Sequence, residues 1–503
     1  MSSNANLYAA YAENFPANLD AALLTTADGD TLTYGEADAE SARIANCLTA
    51  LGAAPGDRVT VQVDKSVRCL CLYLGCLRAG LVYHPLNTAY QAGELAYFLE
   101  NAEPAIVICD SAGKATIEPL VPATTKALLT LNADGSGSLA EQSASSSPQH
   151  SIVERTEQDM AALLYSSGTT GRPKGIMLTH SNLASNNQTL VEAWGFSASD
   201  CLLHALPIFH VHGLFVGLGC VLMSGASMVW LDKFDAETVV KALPDCTVMM
   251  GVPTYYTRLL SHAGFGREHC ASMRLFVSGS APLLSETFEE FEQRTGQAIL
   301  ERYGMTETGM NTSNPLVGER RAGTVGFPLP DIEVRVVTES GEVLPIGETG
   351  DLQVRGPNVF PGYWRMPEKT AEDFTDDGFF NTGDMALIDQ DGYVSIVGRA
   401  KDMIISGGLN IYPKEIELLL DDTPGVSESA VIGIPHPDFG EAVVAVLVAG
   451  SDSAPTAEAV ISHCREKLAN FKVPKQVHYV DELPRNAMGK VQKNVLRERY
   501  AAD

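Results

Sequence analysis

The chain has 503 residues, 45% hydrophobic and 19% charged, a composition typical of a globular protein with more than one domain. Its net charge of −27 disfavours a nucleic acid partner, because binding a phosphate backbone needs a basic surface. Residues 1–6 lack the features of an export signal and no apolar run is long enough to span a membrane, so we expect a cytoplasmic protein without a membrane partner.

The first 130 residues alternate helical and strand patterns. An amphipathic helix is predicted within 32–48, with apolar positions at 44, 45, 47 and 48. Residues 57–63 alternate like a strand, and 105–109 form a short apolar run. This alternation predicts an α/β domain with a largely parallel sheet.

The same alternation resumes after a polar segment at 132–149, whose Gly and Ser content predicts a loop or linker. An apolar run at 160–164 predicts a buried strand, and further strands are predicted at 246–250 and 273–277. The ten cysteines are scattered and include no Cys-x-x-Cys pair, so we expect reduced thiols, without disulfides or a zinc site.

The texture changes at residue 320. Short strands with frequent Gly and Pro, such as those predicted at 350–355 and 392–397, indicate a β-rich subdomain up to residue 397. The last hundred residues return to α+β and are compact enough for a separate small domain. The predicted fold is therefore α/β, with a large N-terminal domain of α/β layers plus a β-rich subdomain and a small α+β C-terminal domain.

Residues 165–175 read Tyr-Ser-Ser-Gly-Thr-Thr-Gly-Arg-Pro-Lys-Gly. Small residues let backbone N–H groups converge on a phosphate, hydroxyls add donors, and Lys174 adds a positive charge. The segment is not a Walker loop, since Lys174 is followed by glycine. By itself it is compatible with an ordinary flexible turn.

The C-terminal tail is basic although the chain is acidic. The segment from Arg465 to Arg499 contains nine Lys or Arg residues and four Asp or Glu residues. A solvated basic face explains most of them. A small ligand with several phosphates is the functional alternative.

Four further motifs follow the 165–175 loop in order. They are Arg302–Thr308 (Arg-Tyr-Gly-Met-Thr-Glu-Thr), Thr382-Gly-Asp384, Gly398–Asp402 and Pro484–Lys490. Each has an ordinary explanation alone: a helix start, a turn aspartate, a surface salt bridge, a solvated lysine. Chance explains the five together poorly.

With these motifs, the chain resembles the acyl-adenylate-forming superfamily over essentially its whole length. The resemblance implies that ATP activates a carboxylic acid as an acyl-adenylate, with Mg²⁺ bound to phosphate, and that the thiol of CoA then takes the acyl group. It implies an adenylation domain at 1–399, a hinge at 400–401 and a mobile domain at 402–503. Rotation about Lys401 would exchange Lys490 for 406–410 at the site.

The resemblance also assigns roles. Tyr303 is expected to stack on adenine, Asp384 to bind the ribose hydroxyls, and Lys490 to bridge the substrate carboxylate and the α-phosphate. Catalysis is expected to involve Thr170, His210, Lys490 and Glu307, the last as the Mg²⁺ ligand. The residues expected to bind ATP or CoA are Ser166, Ser167, Gly168, Thr169, Thr170, Gly171, Lys174, Ser280, Ala281, Arg302, Tyr303, Gly304, Met305, Thr306, Asp384, Arg399, Gly407 and Gly408.

Within the superfamily, three segments of the chain resemble the corresponding segments of malonyl-CoA synthetases: 206–215, 304–314 and 357–369. This resemblance implies that the acid is malonate, and also methylmalonate. His210 and Ser278 are then expected at the acid pocket. Arg258 lies on a predicted helix starting near Pro253, where position alone allows it to pair with a distal carboxylate or to face solvent. The resemblance favours the pairing, so Arg258 is also expected to bind the acid. Ser166 departs from the superfamily, which more often has threonine there, but it keeps the hydroxyl.

Other functions stay open from the sequence. The chain could be a short-chain acyl-CoA synthetase for another small acid, or a stand-alone adenylation enzyme that loads a carrier protein. A luciferase-like oxygenase and a non-catalytic nucleotide-binding protein are further alternatives. A lysine acetyltransferase acting on Lys490 is a possible protein partner, since acetylation would remove its charge.

Overall fold

The structure is a computed structural model that describes residues 4–167, 173–280, 283, 285–399, 404–411, 413–450, 454–484 and 491–501. The described residues fall into two compact units. The first draws on Met1–Thr88, Phe98–Leu164 and Gly175–Val397, and the second on Ala89–Tyr97, Tyr165–Lys174 and Gly398–Asp503. The hinge predicted at 400–401 lies outside the described residues.

The strands are numbered along the chain. They are β1 Ala22–Thr26, β2 Thr31–Thr33, β3 Arg58–Gln62, β4 Val82–Pro85, β5 Ile106–Cys109, β6 Ala127–Thr130, β7 Met160–Ser167, β8 Pro173–Thr179, β9 Cys201–His204, β10 Ser227–Trp230, β11 Val248–Gly251, β12 Leu275–Ser278, β13 Leu300–Met305, β14 Gly309–Ser313, β15 Phe327–Pro328, β16 Glu333–Val337, β17 Gly350–Arg355, β18 Phe380–Ile388, β19 Val394–Arg399, β20 Ile404–Ser406, β21 Leu409–Ile411, β22 Val426–His436, β23 Gly440–Ala449 and β24 Gln476–Val480.

The helices are numbered in the same way. The α-helices are α1 Leu7–Glu13, α2 Tyr34–Ala50, α3 Val67–Arg78, α4 Ala92–Ala102, α5 Lys114–Ile117, α6 Ser138–Ser143, α7 His180–Ala193, α8 Leu218–Ser224, α9 Ala236–Ala242, α10 Pro253–Ser261, α11 Ser285–Thr295, α12 Pro367–Asp373, α13 Pro413–Asp421, α14 Ala457–Lys467 and α15 Lys493–Tyr500. A π-helix spans His212–Gly217, and a 3-10 turn spans Asn470–Lys472. None of the helices in the described ranges has the length and hydrophobicity that a membrane span requires.

Two large sheets and one small sheet precede residue 400. The nine-stranded sheet has the order β15-β14-β13-β12-β11-β9-β10-β1-β2, and the six-stranded sheet has the order β6-β5-β3-β4-β7-β8. Strands β9 to β12 pair in parallel, as do β3 to β6, with helices between them in sequence. The β-rich part forms the sheet β16-β17-β18-β19. The predicted α/β class is confirmed.

Local sequence explains where α2 begins. Thr33 accepts a hydrogen bond from the backbone N–H of Glu36 (3.1 Å), whose carboxylate accepts one from the N–H of Thr33 (2.9 Å). This reciprocal capping satisfies two backbone donors that the first helical turn leaves unpaired. The apolar positions of the predicted helix, 44, 45, 47 and 48, are buried. The predicted helix is confirmed.

Most predicted strands lie within a few residues of observed ones. The strand at 350–355 coincides with β17, and the strand at 392–397 is shifted two residues toward the C-terminus as β19. The strand at 246–250 is observed as β11, which starts two residues later and ends one residue later. The polar segment at 132–149 is not entirely loop, because it contains the short helix α6. Buried Leu139 anchors that helix, a packing signal too small to stand out in a Ser-rich segment.

The second unit contains a sheet whose central strands are buried on both faces. Strand β23 pairs with β22, β20 and β24, and its apolar run 442–447 divides between two clusters. Val443, Ala445 and Leu447 pack with residues of α13 and α14, whereas Ala442, Val444 and Val446 pack with Leu496 and Tyr500 of α15. A continuous apolar run is the expected pattern for such a strand.

A buried ion cluster also lies in the second unit. The Lys472 ammonium is 2.7 Å from one carboxylate oxygen each of Glu94 and Glu415, and the three side chains are 3%, 7% and 10% exposed. The ammonium also lies over the Tyr90 ring, 4.9 Å from its centroid. Burial by itself lowers the pKa of Lys472. The charges of Glu415, Tyr90 and Glu94 raise this pKa by more than burial lowers it, so the net pKa is above its ordinary value. Lys472 is therefore charged.

Replacing Lys472 by methionine should destabilise the second unit by about 3–5 kcal/mol, because two buried carboxylates lose their counter-charge. Native-state hydrogen exchange of β22 and β23 measures this loss. Lys475→Met is the matched control, since Lys475 is three residues away and exposed. Similar exchange in the two variants would show that the cluster contributes little to stability.

Candidate active site

Arg302 is a buried cation without an acidic partner among the described residues. It lies on β13 with only 4% of its surface exposed, and its Nε and Nη2 atoms have no hydrogen-bond partner in the described ranges. Glycine at 279 makes room for it, because a Cβ there would lie 2.3 Å from the Arg302 Cζ atom. Burial lowers the pKa of Arg302 to about 10, so the guanidinium still carries its charge at neutral pH.

The polar side chains at the ends of β12 and β13 lie on different faces of the sheet. Ser278 ends β12 with a buried hydroxyl that has no partner among the described residues, but it pairs in register with Glu301 and so faces away from Arg302. The Nδ1 atom of His212 is 3.2 Å from the Ser280 hydroxyl, while its Nε2 atom is buried and unpartnered in the described ranges. Ser280 has a φ of +71°, a strained conformation for a non-glycine residue and one that is common at functional sites.

The two histidines of the 209–213 segment are neutral. Burial, and then the charge of Arg302, lowers the pKa of His210 to about 4. The same two causes, in the same order, place the pKa of His212 well below its ordinary value. Neutral imidazoles offer this pocket hydrogen bonds without adding a second cation. The only described charge at its centre is therefore that of Arg302.

The carboxylate next to Arg302 in sequence does not neutralise it. Side chains alternate along a strand, and one Glu301 oxygen instead accepts a hydrogen bond from the backbone N–H of Leu283 (3.2 Å). The other oxygen is buried and unpartnered among the described residues. Burial raises the pKa of Glu301 from its ordinary 4.5 to about 7, partly offset by the Leu283 hydrogen bond.

This shift predicts a pH dependence of stability. Between pH 4.5 and about 7 the folded protein keeps the Glu301 proton while the unfolded chain loses it, so stability falls as pH rises through this window. The free energy of unfolding of Glu301→Gln should rise relative to that of the wild type by on the order of 3 kcal/mol between pH 4.5 and pH 8. Denaturant unfolding of both proteins at each pH measures this difference. A constant difference would mean that Glu301 ionises normally in the fold.

Tyr303 and Asp384 are brought together although 81 residues separate them. The Tyr303 hydroxyl donates to a carboxylate oxygen of Asp384 at 2.5 Å. Asp384 lies on β18, where the Thr382 hydroxyl accepts from its backbone N–H (3.1 Å) and donates to the carbonyl of Leu352 (2.7 Å). The two residues assigned to adenine and ribose therefore lie together in the first unit, with Asp384 buried and Tyr303 partly buried.

The turn that carries Glu307 is held by a motif far along the chain. Gly304, Met305 and Thr306 lead into it from β13, and its backbone is fixed through Asn358 and Phe360. The Asn358 amide donates to the carbonyl of Thr308 (2.7 Å), and the Phe360 N–H donates to the carbonyl of Glu307 (2.9 Å). The Glu307 side chain is itself buried. The 357–360 motif thus fixes the backbone that positions the predicted metal ligand.

Several predicted site residues lie in the second unit. Ser166 and Ser167 end β7, and Lys174 is buried in β8. Arg399 is the last residue of β19. Gly407 and Gly408 connect β20 to β21 with φ of +58° and +77°, a two-residue hairpin turn that favours glycine at both positions.

Other predicted residues lie outside the described ranges, and one is exposed. Gly168, Thr169, Thr170, Gly171, Ala281 and Lys490 are outside the described residues, as is Lys401. Arg258 is described and lies exposed on α10, which begins at Pro253 as predicted. Burial raises the pKa of Tyr255 to about 12 and the nearby charge of Arg258 opposes this rise.

Glu307 is the predicted metal ligand among the described residues. In these ranges no three His, Cys, Asp or Glu side chains cluster as metal ligands do. Mg²⁺ needs no such cluster, because it commonly binds one or two carboxylates together with substrate phosphates. Glu307, buried on a fixed turn, fits that mode.

A separate cavity of about 280 Å³ lies in the first unit. The residues that line it include Lys65, Cys69, Pro207, Phe209 and Tyr255. The Tyr255 ring stacks on Phe234 with 4.0 Å between centroids. Phe209 immediately precedes His210, so the cavity adjoins the segment that carries both histidines.

Comparison with known proteins identifies the family of the chain. The model of the AMP-binding enzyme family matches residues 9–364, and that of the AMP-binding enzyme C-terminal domain matches 415–490. The crystal structure of ATP-bound MatB from Rhodopseudomonas palustris is 51% identical over 99% of both chains, with a TM-score of 0.79.

Two curated relatives carry different names. Malonate–CoA ligase from Arabidopsis thaliana is 34% identical over 94% of this chain and 85% of its own length. Feruloyl-CoA synthase from an Amycolatopsis species is 37% identical over 94% of each chain. The family matches cover most of the sequence, and the chain therefore belongs to the acyl-adenylate-forming superfamily of AMP-binding enzymes, as an AMP-forming acid–CoA ligase.

Proposed function

We propose that the acid ligated to CoA is malonate, and that methylmalonate is a second substrate. The observation that carries this proposal is the buried Arg302 guanidinium, with two nitrogen atoms unpartnered in the described ranges. An uncompensated buried charge is costly, so a partner that supplies the missing negative charge is strongly favoured. A monocarboxylic acid has only the carboxylate that reacts. A dicarboxylate brings a second one.

The surroundings of Arg302 suit a carboxylate. A guanidinium can bind it through two parallel hydrogen bonds. His210 and His212 are neutral, so they contribute hydrogen bonds and shape while Arg302 supplies the charge. Malonate is short, which keeps its reacting carboxylate close to the one bound by Arg302.

The names of the relatives do not decide the substrate. One is named malonate–CoA ligase and another feruloyl-CoA synthase, at similar identity. Identity at this level does not choose the acid, because a few pocket residues determine specificity. The charge of Arg302 is the feature of this chain that distinguishes a dicarboxylate from an uncharged tail.

The reaction then has two steps. An oxygen of one malonate carboxylate attacks the α-phosphorus of ATP and pyrophosphate leaves. The CoA thiolate attacks the acyl carbon of the adenylate, and AMP leaves. We assign adenine to Tyr303, the ribose diol to Asp384, and the phosphates to Lys174 with the 166–171 loop.

The remaining assignments concern catalysis and motion. Glu307 would hold Mg²⁺, which neutralises charge on the phosphates. Lys490 and Arg399 keep the roles that the resemblance gives them, contacts to the α-phosphate and to ribose and phosphate. We further propose that residues 402–503 rotate about Lys401 between the two steps, which brings Gly407 and Gly408 to the thiol.

Pyrophosphate release, measured over a panel of acids with and without CoA, tests the proposal. We expect malonate to give the highest kcat/KM, methylmalonate to follow, and acetate, propionate, butyrate and ferulate to be poor. Formation of the acyl-CoA should accompany pyrophosphate release when CoA is present. A preference for a monocarboxylic acid would contradict the malonate assignment. Acyl transfer to a carrier protein but not to CoA would contradict the choice of thiol.

A further inference from the structure

Lys65 is a buried lysine in the first unit that carries no role in the mechanism above. It follows β3 and is 9% exposed. Its ammonium donates to the carbonyls of His204 (2.7 Å) and Leu231 (2.5 Å) and is 2.9 Å from the Nδ1 atom of His204. These three acceptors match the three N–H donors of an ammonium. The ammonium also lies over the Trp230 ring, 4.1 Å from its centroid.

These contacts determine the tautomer of His204. The Gly213 carbonyl oxygen is 3.0 Å from the Nε2 atom of His204 and can only accept, so the proton of this neutral imidazole is on Nε2. The Nδ1 atom therefore accepts from Lys65, although burial lowers the pKa of Lys65 well below its ordinary value. Burial, followed by the charge of Lys65, keeps the pKa of His204 well below its ordinary value. The imidazole stacks on Trp230, with 5.0 Å between centroids.

The acceptor of that hydrogen bond belongs to the segment that carries the pocket histidines. Gly213 lies in the π-helix His212–Gly217, and its carbonyl also accepts from the N–H of Leu218. Such π-turns are rare and frequently lie at functional sites. Gly213 is tightly enclosed, because a Cβ there would lie 2.1 Å from the Pro207 carbonyl oxygen. The His204 hydrogen bond therefore fixes the backbone next to His212.

We propose that Lys65 is a positioning residue for acid binding. It holds His204 as the Nε2–H tautomer, and His204 holds the π-turn that presents His210 and His212 beside Arg302. The proposal rests on the proposed function and deepens it, because it names the residues that hold the backbone of that acid pocket in place. It predicts that loss of Lys65 weakens acid binding much more than ATP binding.

The first experiment compares Lys65→Met with the wild type. The ¹⁵N resonances of the His204 ring report its tautomer without any substrate, so this measurement does not depend on malonate being the acid. We expect the Nε2–H signature in the wild type and its loss or mixing with the Nδ1–H form in Lys65→Met. An unchanged signature in a folded variant would overturn the proposal.

The second measurement is the acid KM, taken with whichever acid proves to be the best substrate. We expect it to rise on the order of tenfold or more in Lys65→Met, while the KM for ATP and the reaction of pre-formed acyl-adenylate with CoA change little. Lys472→Met is the matched control, because it also removes a buried lysine but should leave the acid KM unchanged. Equal changes in the acid and ATP KM values would indicate general damage and contradict a positioning role.

A second pair of variants tests the relay if Lys65→Met does not fold. His204→Gln keeps one acceptor and one donor on the side chain, whereas His204→Leu keeps neither. We expect His204→Gln to retain an acid KM within about threefold of the wild type and His204→Leu to lose at least tenfold. Equal acid KM values in the two variants would overturn the proposal.

Discussion

Replacing Arg302 by methionine should reduce kcat/KM for malonate by about tens-fold to thousands-fold, because truncating one partner of a buried charge pair costs about 2–5 kcal/mol. The variant should use propionate or butyrate as well as the wild type does, or better, since a neutral tail no longer leaves a buried guanidinium unpaired. Steady-state kinetics on the three acids measures both effects. A parallel loss with all three acids would indicate a role in folding or nucleotide binding instead.

Arg258→Met is the matched control for this experiment. The sequence favours Arg258 as the residue that pairs with the distal carboxylate, but its side chain is exposed on α10 and is screened by water. We therefore expect the Arg258 variant to lose clearly less malonate activity than the Arg302 variant. A larger loss in Arg258→Met would indicate that Arg258 binds the distal carboxylate, and it would contradict the assignment of that role to Arg302.

Lys490→Ala should slow formation of the acyl-adenylate by orders of magnitude, while ATP still binds and pre-formed malonyl-adenylate still reacts with CoA. The reason is that the lysine's proposed contact to the α-phosphate is strongest when charge accumulates there in the transition state. Separate assays of pyrophosphate release and of thioester formation distinguish the two steps. Acetylation of Lys490 should have the same effect, because it removes the charge.

Lys475→Met is a suitable comparison, since it removes another lysine of the basic tail that is exposed and has no assigned role. It should leave both steps near wild-type rates. If Lys490→Ala slowed both steps to the same extent, the proposed division of labour between them would be wrong.

Much of the fold could be predicted from the sequence because local patterns carry it. The helix α2 has both its apolar face and its capping residues within 33–48, and β17 is bounded by residues that end strands. Helix α6 could not be predicted in the same way, because one buried leucine in a Ser-rich segment gives no periodic signal. The exact ends of β11 and β19 depend on neighbouring strands, which periodicity does not show.

The candidate site divides in a similar manner. The residues that bind nucleotide in this superfamily are grouped in short motifs, so Tyr303, Glu307 and Asp384 could be identified from spacing and resemblance. Lys65 and His204 could not, since a single Lys and a single His in apolar surroundings have no motif around them. The His-x-His pattern at 210–212 was the available signal for His212. Without a third ligand this pattern is a weak signal for a metal site, and the resemblance favours a pocket wall.

The sequence by itself determined the superfamily, the α/β class and the residues expected to handle ATP, because their chemistry requires particular residue types at short spacing. Only the tertiary structure decided which arginine is buried and which is exposed. Burial depends on strands and helices distant in the chain: Gly279 makes room for Arg302, and nothing among the described residues neutralises it. A charge acquires its functional meaning from the groups that surround it, and those groups meet only in the folded chain.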